Sequence, residues 1–309
     1  STGSAVTRAL TSKGISYGNI RAFANGTFDN SQVDGVDPDL RVRPFFAHGG
    51  TISIREFLVG AFNAEMGIDA VDPLLQTAAT GGVVTTPSGM VLDGRVDRIE
   101  RPPAAFPGQD SDGDGVLNEL PQALVDHMEF YLLNYFKPGT YRQTALTQQG
   151  LATFNQIGCN RCHVQDLTIN RDRRVADVET IYDPQRGIFN RLFSTGSLRL
   201  VEQNDGSGHP TLKLPAQQSF VVRNFFADLK RHDLGPNFHE RNFDGSIQRE
   251  FMTEPLWGVG SSAPYGHDGR SINLLEVILR HGGEAQNERN SFAALSDSSR
   301  NALMEFLNS

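Results

Sequence analysis

The chain holds only two cysteines, and both belong to one pentapeptide, Cys159-Asn160-Arg161-Cys162-His163. Counting alone excludes a disulfide framework. A structural zinc site needs two more ligands at matching spacing, and no further cysteine exists to supply them. A redox dithiol is the other bland use of such a pair. The spacing Cys-x-x-Cys-His suits a third use, in which both thiols form thioethers with the vinyl groups of a haem and the adjacent His163 offers its imidazole to the iron. The expectation is therefore one covalent haem c on Cys159, Cys162 and His163.

With 309 residues the chain is long enough for two compact domains. A hydrophobic share of 38%, a charged share of 21% and 20 phenylalanines fit a packed globular protein. A formal charge of -8 leaves no broad basic face for a phosphate backbone, so nucleic acid is excluded as the expected partner. No apolar run is long enough to span a bilayer, and Ser1 to Ala5 lacks the basic and apolar regions of a signal peptide. The chain therefore reads as soluble, secreted and already processed.

Residues 1 to about 100 are rich in Gly, Asp, Thr and Ser, and their one clear helical pattern is Ile52 to Met66, with Ile54, Phe57, Leu58 and Phe62 at helical spacing. A turn-rich stretch, Arg101 to Gly115, leads to an expected helix from Pro121 to Phe136 that Pro138-Gly139 ends. Another amphipathic pattern, Ala145 to Ile157, delivers the chain into the cysteine motif. Residues 164 to 220 are less regular, and two more helices are expected, Leu274 to Arg280 and Asp297 to Leu307 with Ser296 as N-cap. No internal repeat is evident. The expected fold is mainly α: a cytochrome c-like helical haem domain over 141–309, joined to a loop-rich, partly helical N-terminal domain over 1–140.

The sixth iron position decides the chemistry, because a closed iron transfers electrons and an open one binds peroxide or oxygen. Eight histidines compete for it. His281 follows Leu274, Val277 and Ile278 along one helical stripe, which would aim it at the haem. It could equally be a C-terminal histidine that favours the helix dipole. His48, His127, His209 and His239 stand in polar or mixed surroundings and receive no role.

The segment Asp110 to Glu119 sets carboxylates at alternate positions before glycines, so Asp110, Asp112, Asp114 and the Val116 carbonyl can converge on one hard cation. Calcium fits, with Glu119 closing the site because Pro121 occupies position twelve of the loop. The alternative is a solvated acidic turn.

Four stretches now carry a resemblance: Phe226 to Pro236, Glu254 to Gly260, Ala263 to Arg270, and Leu274 to Glu284. In order and spacing they resemble the dihaem oxidoreductases, a peroxidase-like branch of the dihaem cytochrome c peroxidase superfamily. In that superfamily the residue at the place of His281 is the distal ligand of the C-terminal haem, methionine in bacterial peroxidases and tyrosine in the methylamine dehydrogenase maturation enzyme. The resemblance thus implies a bis-histidine haem held by His163 and His281. Leu40 to Gly50 and Leu58 to Asp69 are also similar to the segment that follows the family's first haem motif, yet no second Cys-x-x-Cys-His is present. Within the family motifs, His232 and His267 are expected to bond haem propionates or backbone, and Arg270 is the expected propionate partner. Trp257, the single tryptophan, has a core ring as its default role. The sharper expectation sets it at the haem edge, coupled to a redox partner.

These implications give an oxidoreductase that takes electrons from a small donor protein, a cytochrome or a cupredoxin, and relays them to a second, peroxide-reducing haem that no motif in this chain encodes, so a second haem-bearing segment is a further expected partner. The alternatives are a non-catalytic electron-transfer cytochrome and an oxygenase resembling the dihaem rubber oxygenases. Covalent haem attachment and the resemblance imply a periplasmic or extracellular location in a bacterium.

Overall fold

The structure is a computed structural model that describes residues 4–135, 143–169, 177–183, 188–195 and 220–309. It divides into two compact units, residues 1–137 with 168–222 and residues 138–167 with 223–309. The mainly helical expectation is overturned: the structure is only 32% helix and 19% strand, the strands spread over several small sheets. Short strands carry few alternations, so their pattern is weak against a 13-residue helix. The clearest case is the hairpin β1 (Val6–Ser12) with β2 (Ile15–Ala22), joined by Lys13 and Gly14 at φ 55° and 80°. Positive φ at both turn residues gives the twist that two-residue hairpins need. Leu10, Ile15, Tyr17 and Ile20 are its buried apolar residues, and β3 (Phe28–Asp29) adds a third strand.

The first unit continues with α1 (Ile54–Met66), α2 (Pro73–Ala79), the pair β4 (Val83–Thr85) and β5 (Val91–Asp93), and α3 (Gln122–Tyr135). Ser53 and Glu56 form a reciprocal capping box on α1, and Gly67 at φ 66° ends it. Asp72 caps α2 with Pro73 in its first turn. Ile52, Val59, Leu75, Leu92, Ile99 and Val125 make the core. The expected end of α3 at Phe136, its Pro138-Gly139 stop and His209 lie outside the described residues.

Glu56 is buried within this unit, accepting from the Ser53 amide at 3.1 Å and the Glu100 amide at 3.0 Å. Burial pushes its carboxyl from 4.5 up to about 7, although the two amides oppose the shift. The folded value lies above the unfolded one, so the associated stability is complete below the unfolded value and disappears as pH rises through the folded one. That swing is roughly 3 kcal/mol. Thermal melts of the first unit should therefore fall between about pH 5 and about pH 8, and Glu56→Gln should flatten the profile. Equal pH dependence in wild type and variant would assign the slope to other groups.

The second unit holds α4 (Ala145–Gln156), α5 (Leu274–Arg280), α6 (Gln286–Ala293) and α7 (Asp297–Leu307), with Ser296 capping α7 as expected. Phe154, Phe226, Leu274, Phe292, Leu303 and Leu307 form its core. Two short antiparallel pairs, Arg231–Asp233 with Glu250–Met252 and Glu240–Arg241 with Ile247–Gln248, complete it. The strands Asp177–Asp183 and Ile188–Thr195 of the first unit also pair antiparallel.

The two units share a module that the sequence reading missed. Phe45 bridges Thr51 and Tyr265 bridges Ser271, both antiparallel. Within each bridge a turn closes the same way, Gly49 amide to Phe46 carbonyl at 2.9 Å and Gly269 amide to Gly266 carbonyl at 3.0 Å. All four turn residues have positive φ: Phe46 61°, Gly49 66°, Gly266 83° and Gly269 62°. A helix follows each, capped by Ser53 or by Asn273, with Glu56 or Glu276 in its first turn. Residue for residue, Gly60 corresponds to Arg280 and Ala61 to His281.

Candidate haem site in the second unit

α4 ends at the cysteine motif because Gly158, at φ 92°, turns the chain into the short 3-10 segment Cys159–Arg161. The His163 amide bonds the Cys159 carbonyl at 3.0 Å, which folds the pentapeptide into one turn. Cys159 packs against the apolar core. Burial, reinforced by the Glu288 carboxylate, pushes its thiol up to about 12, so the sulfur stays protonated at neutral pH. Glu288 also holds Arg161 at 2.6 Å.

His163 places Nδ1 3.0 Å from the carbonyl oxygen of Phe226. A carbonyl only accepts, so Nδ1 carries the proton and Nε2 keeps its lone pair. Burial pushes the imidazole down to about 4; the Phe226 bond opposes this, and His281 lies near enough to lower it further. Phe226 itself sits at φ 54°, and Asn224 and Leu229 share that conformation. A left-handed aromatic residue is costly, and it is tolerated where the surrounding structure over-determines it. Here the turn aims the Phe226 carbonyl at His163, while its ring packs edge-on against Phe154 at 5.8 Å and Phe306 at 5.5 Å.

His281 is the C-cap residue of α5. Its Nδ1 lies 2.7 Å from the Val277 carbonyl, so it too presents Nε2. Burial lowers its pKa, and the Arg280 charge adds to that. Two neutral imidazoles in one unit, each with Nδ1 tied to a backbone carbonyl, have the tautomer that iron ligation requires.

His267 stacks on Phe251 at 3.6 Å and lies 3.6 Å from the Glu240 carboxylate. Arg270 is exposed beside Asp268, at 3.4 Å. Trp257 donates to the Asn224 carbonyl at 2.7 Å and meets Phe225 edge-on at 5.2 Å. His232 is buried between two carboxylates, Asp228 at 2.9 Å and Glu284 at 2.8 Å. Burial would lower its pKa, but bonds to Asp228, Cys162 and Glu284 win and push it up to about 12. Ligand atoms of Cys162, Asp228 and His232 lie within 4.8 Å of one another. The residues missed in the sequence, Phe226, Asp228, Glu284 and Arg280, all lie inside the runs Phe226 to Pro236 and Leu274 to Glu284.

In the first unit, carboxylate oxygens of Asp110, Asp112 and Asp114 lie within 4.8 Å of one another. Glu119 is turned instead toward the Asp69 amide, at 2.6 Å, and Val116 is exposed with its amide on Asp114 at 2.7 Å.

Residues 172–309 match the model of a protein family described as “di-haem oxidoreductase, putative peroxidase”. Over this part the chain is similar to the di-haem oxidoreductase family. The family's name points to a peroxidase-like oxidoreductase with haem as cofactor. The matched segment contains His281 and the whole of α5 to α7, and it begins after His163, so the cysteine motif is a separate observation. Searches of the curated proteins and of the solved structures found no match. Among the described residues, no helix is long and apolar enough to cross a membrane.

Proposed function

We propose that the chain is a c-type haem oxidoreductase, with the haem joined to Cys159 and Cys162 by thioethers and held axially by His163 and His281. The observation that carries this reading is the matched pair of imidazoles, each with Nδ1 committed to a backbone carbonyl and Nε2 left for a metal. When bound, the haem would supply one-electron chemistry, and in a peroxidase-like protein it would relay electrons toward a second haem that reduces peroxide. Phe154, Phe226 and Phe306 exclude water from the His163 side, and Trp257, joined to Phe225, offers a ring for electron entry from a small cytochrome or cupredoxin. A calcium ion on Asp110, Asp112 and Asp114 stabilises the first unit in this reading. A periplasmic or extracellular location follows from covalent haem attachment.

A second reading, a non-catalytic electron-transfer cytochrome, is favoured by the presence of one Cys-x-x-Cys-His motif in the sequence. Both readings need His281 on the iron. The absorption and electron paramagnetic resonance spectra of the ferric protein should be low-spin, and His281→Ala should turn them high-spin. A low-spin spectrum unchanged in His281→Ala removes His281 from the iron and with it the closed-site account.

A further inference from the structure

The two copies of the shared module differ as a set. In the second copy Arg280 closes α5 with a clamp: Nη1 lies 3.2 Å from Asp268 and 2.8 Å from the Ser271 hydroxyl, and Nη2 lies 2.6 Å from Asp268 and 2.9 Å from the Asn237 carbonyl. The guanidinium sits over the ring of Phe238 at 4.4 Å, and the buried Phe238 meets the His281 ring edge-on at 5.5 Å. The Gly282 amide, one residue on, is tied to the Leu234 carbonyl at 2.9 Å. The imidazole is therefore fixed by Val277 at one nitrogen and by Phe238 at its flank, and Phe238 is itself covered by Arg280.

Gly266 makes room for this clamp. A Cβ there would fall 2.8 Å from the Asp268 carboxylate and 3.2 Å from Arg280 Nη1. In the first copy the exchange is reversed: Phe46 stands for Gly266, Gly60 for Arg280 and His48 for Asp268. The Phe46 ring lies over the glycine, 3.4 Å from where a Gly60 Cβ would be. That copy ends in Ala61 where the other has His281. Clamp and histidine occur together in one copy, and both are missing from its counterpart within the same chain.

We propose that Arg280, locked by Asp268 and Ser271 and laid on Phe238, is the positioning residue that holds the His281 ring in the orientation required for iron. The proposal rests on the reading of His281 as the second axial ligand. A bidentate guanidinium–carboxylate pair gives a fixed geometry that a lysine ammonium, a point charge on a flexible stem, does not reproduce. Without the clamp Phe238 loses its cover and the imidazole gains freedom, so the fraction of time it leaves the iron rises.

The test uses the full haem-loaded chain and cyanide as the probe, because cyanide binds ferric iron only after His281 departs. His281→Ala marks the open-site limit. Arg280→Met should bind cyanide about tenfold faster than wild type, the factor that one charge-assisted hydrogen bond is worth, with a high-spin component in the ferric spectrum. Arg280→Lys should fall between the two, and it serves if the methionine variant does not fold. Wild-type cyanide rates and spectra in both Arg280 variants, with His281→Ala open, would overturn the proposal and leave the ligand assignment standing. A low-spin His281→Ala protein would overturn both.

Discussion

Gly150→Ala is expected to destabilise the second unit by about 2 kcal/mol or more, the upper range for overpacking against unyielding atoms. On helix propensity alone the change should favour folding by about 1 kcal/mol, since glycine is poor inside a helix. Contact geometry reverses the sign. A Cβ at Gly150 would lie 2.0 Å from the Ala302 carbonyl oxygen and 2.6 Å from the Phe306 Cβ, both on α7. Backbone carbonyl and Cβ atoms do not swing aside as a side-chain tip does, so the helices must separate. Separation loosens Phe154, whose ring lies 5.5 Å from Phe306 and 6.0 Å from His163, so the candidate haem site is disturbed along with the core. Urea unfolding of the haem-loaded protein, followed at the Soret band, measures the effect. A stabilised variant would show that α4 and α7 do not cross at this glycine.

Arg55→Ala should cost the first unit about 3–5 kcal/mol, the range for leaving buried charges unpaired. Arg55 is 0% exposed and bonds Asp72 at 2.6 Å, Asp126 at 2.8 Å and Glu129 at 2.9 Å. The side chains of Asp72 and Glu129 are also fully buried. Asp72 in addition caps α2 through the Leu74 and Leu75 amides, so its loss of a cation reaches that helix. Burial already raises the Glu129 pKa against the lowering influence of Arg55, so removal of the guanidinium leaves a carboxyl that must take up a proton or water. Neutralising both acids, in Arg55→Ala with Asp72→Asn and Glu129→Gln, should recover part of the loss. The check is a urea titration of each variant, and a loss below about 1 kcal/mol in Arg55→Ala would mean that the pairs contribute no more than surface ones do.

Most helices were legible in the sequence, but α2, behind the Asp72 cap, and α6, which has no side-chain cap, were not. Ser53 with Glu56 and Ser296 before Asp297 are local signals, and the helices that they open run as expected. The sheets were not legible, because strands such as Arg231–Asp233 are three residues long and exist only through a partner some twenty positions on. The Lys13-Gly14 hairpin turn lacks the usual asparagine or aspartate signal. The repeat escaped for a different reason: its two copies share a backbone pattern, positive φ at two turn positions and a capped helix, while the residue types differ at nearly every other place. A search for an aromatic residue, a glycine four positions on, a hydroxyl residue, an isoleucine and a polar cap would have found both.

At the candidate haem site the expected attachment residues stand out in the sequence because thioether chemistry demands them at one spacing. Their supports do not. The Phe226 carbonyl serves His163 from 63 positions away, and a carbonyl carries no side-chain signature. Arg280 and Phe238 were invisible because their value lies in tertiary contacts, of Arg280 with Asp268 in a separate turn and with the Phe238 ring.

In the function proposed above, Cys159, Cys162 and His163 hold a haem covalently. The most direct measurement is the intact mass of the denatured chain beside its pyridine haemochrome spectrum, for the wild type and for Cys159→Ser with Cys162→Ser. The wild-type chain is expected to be heavier than its sequence by one haem, with a haemochrome band typical of two thioethers, and the double variant to show no added mass. A wild-type chain at its bare sequence mass, when matured in a host that attaches c-type haem, would contradict this attachment.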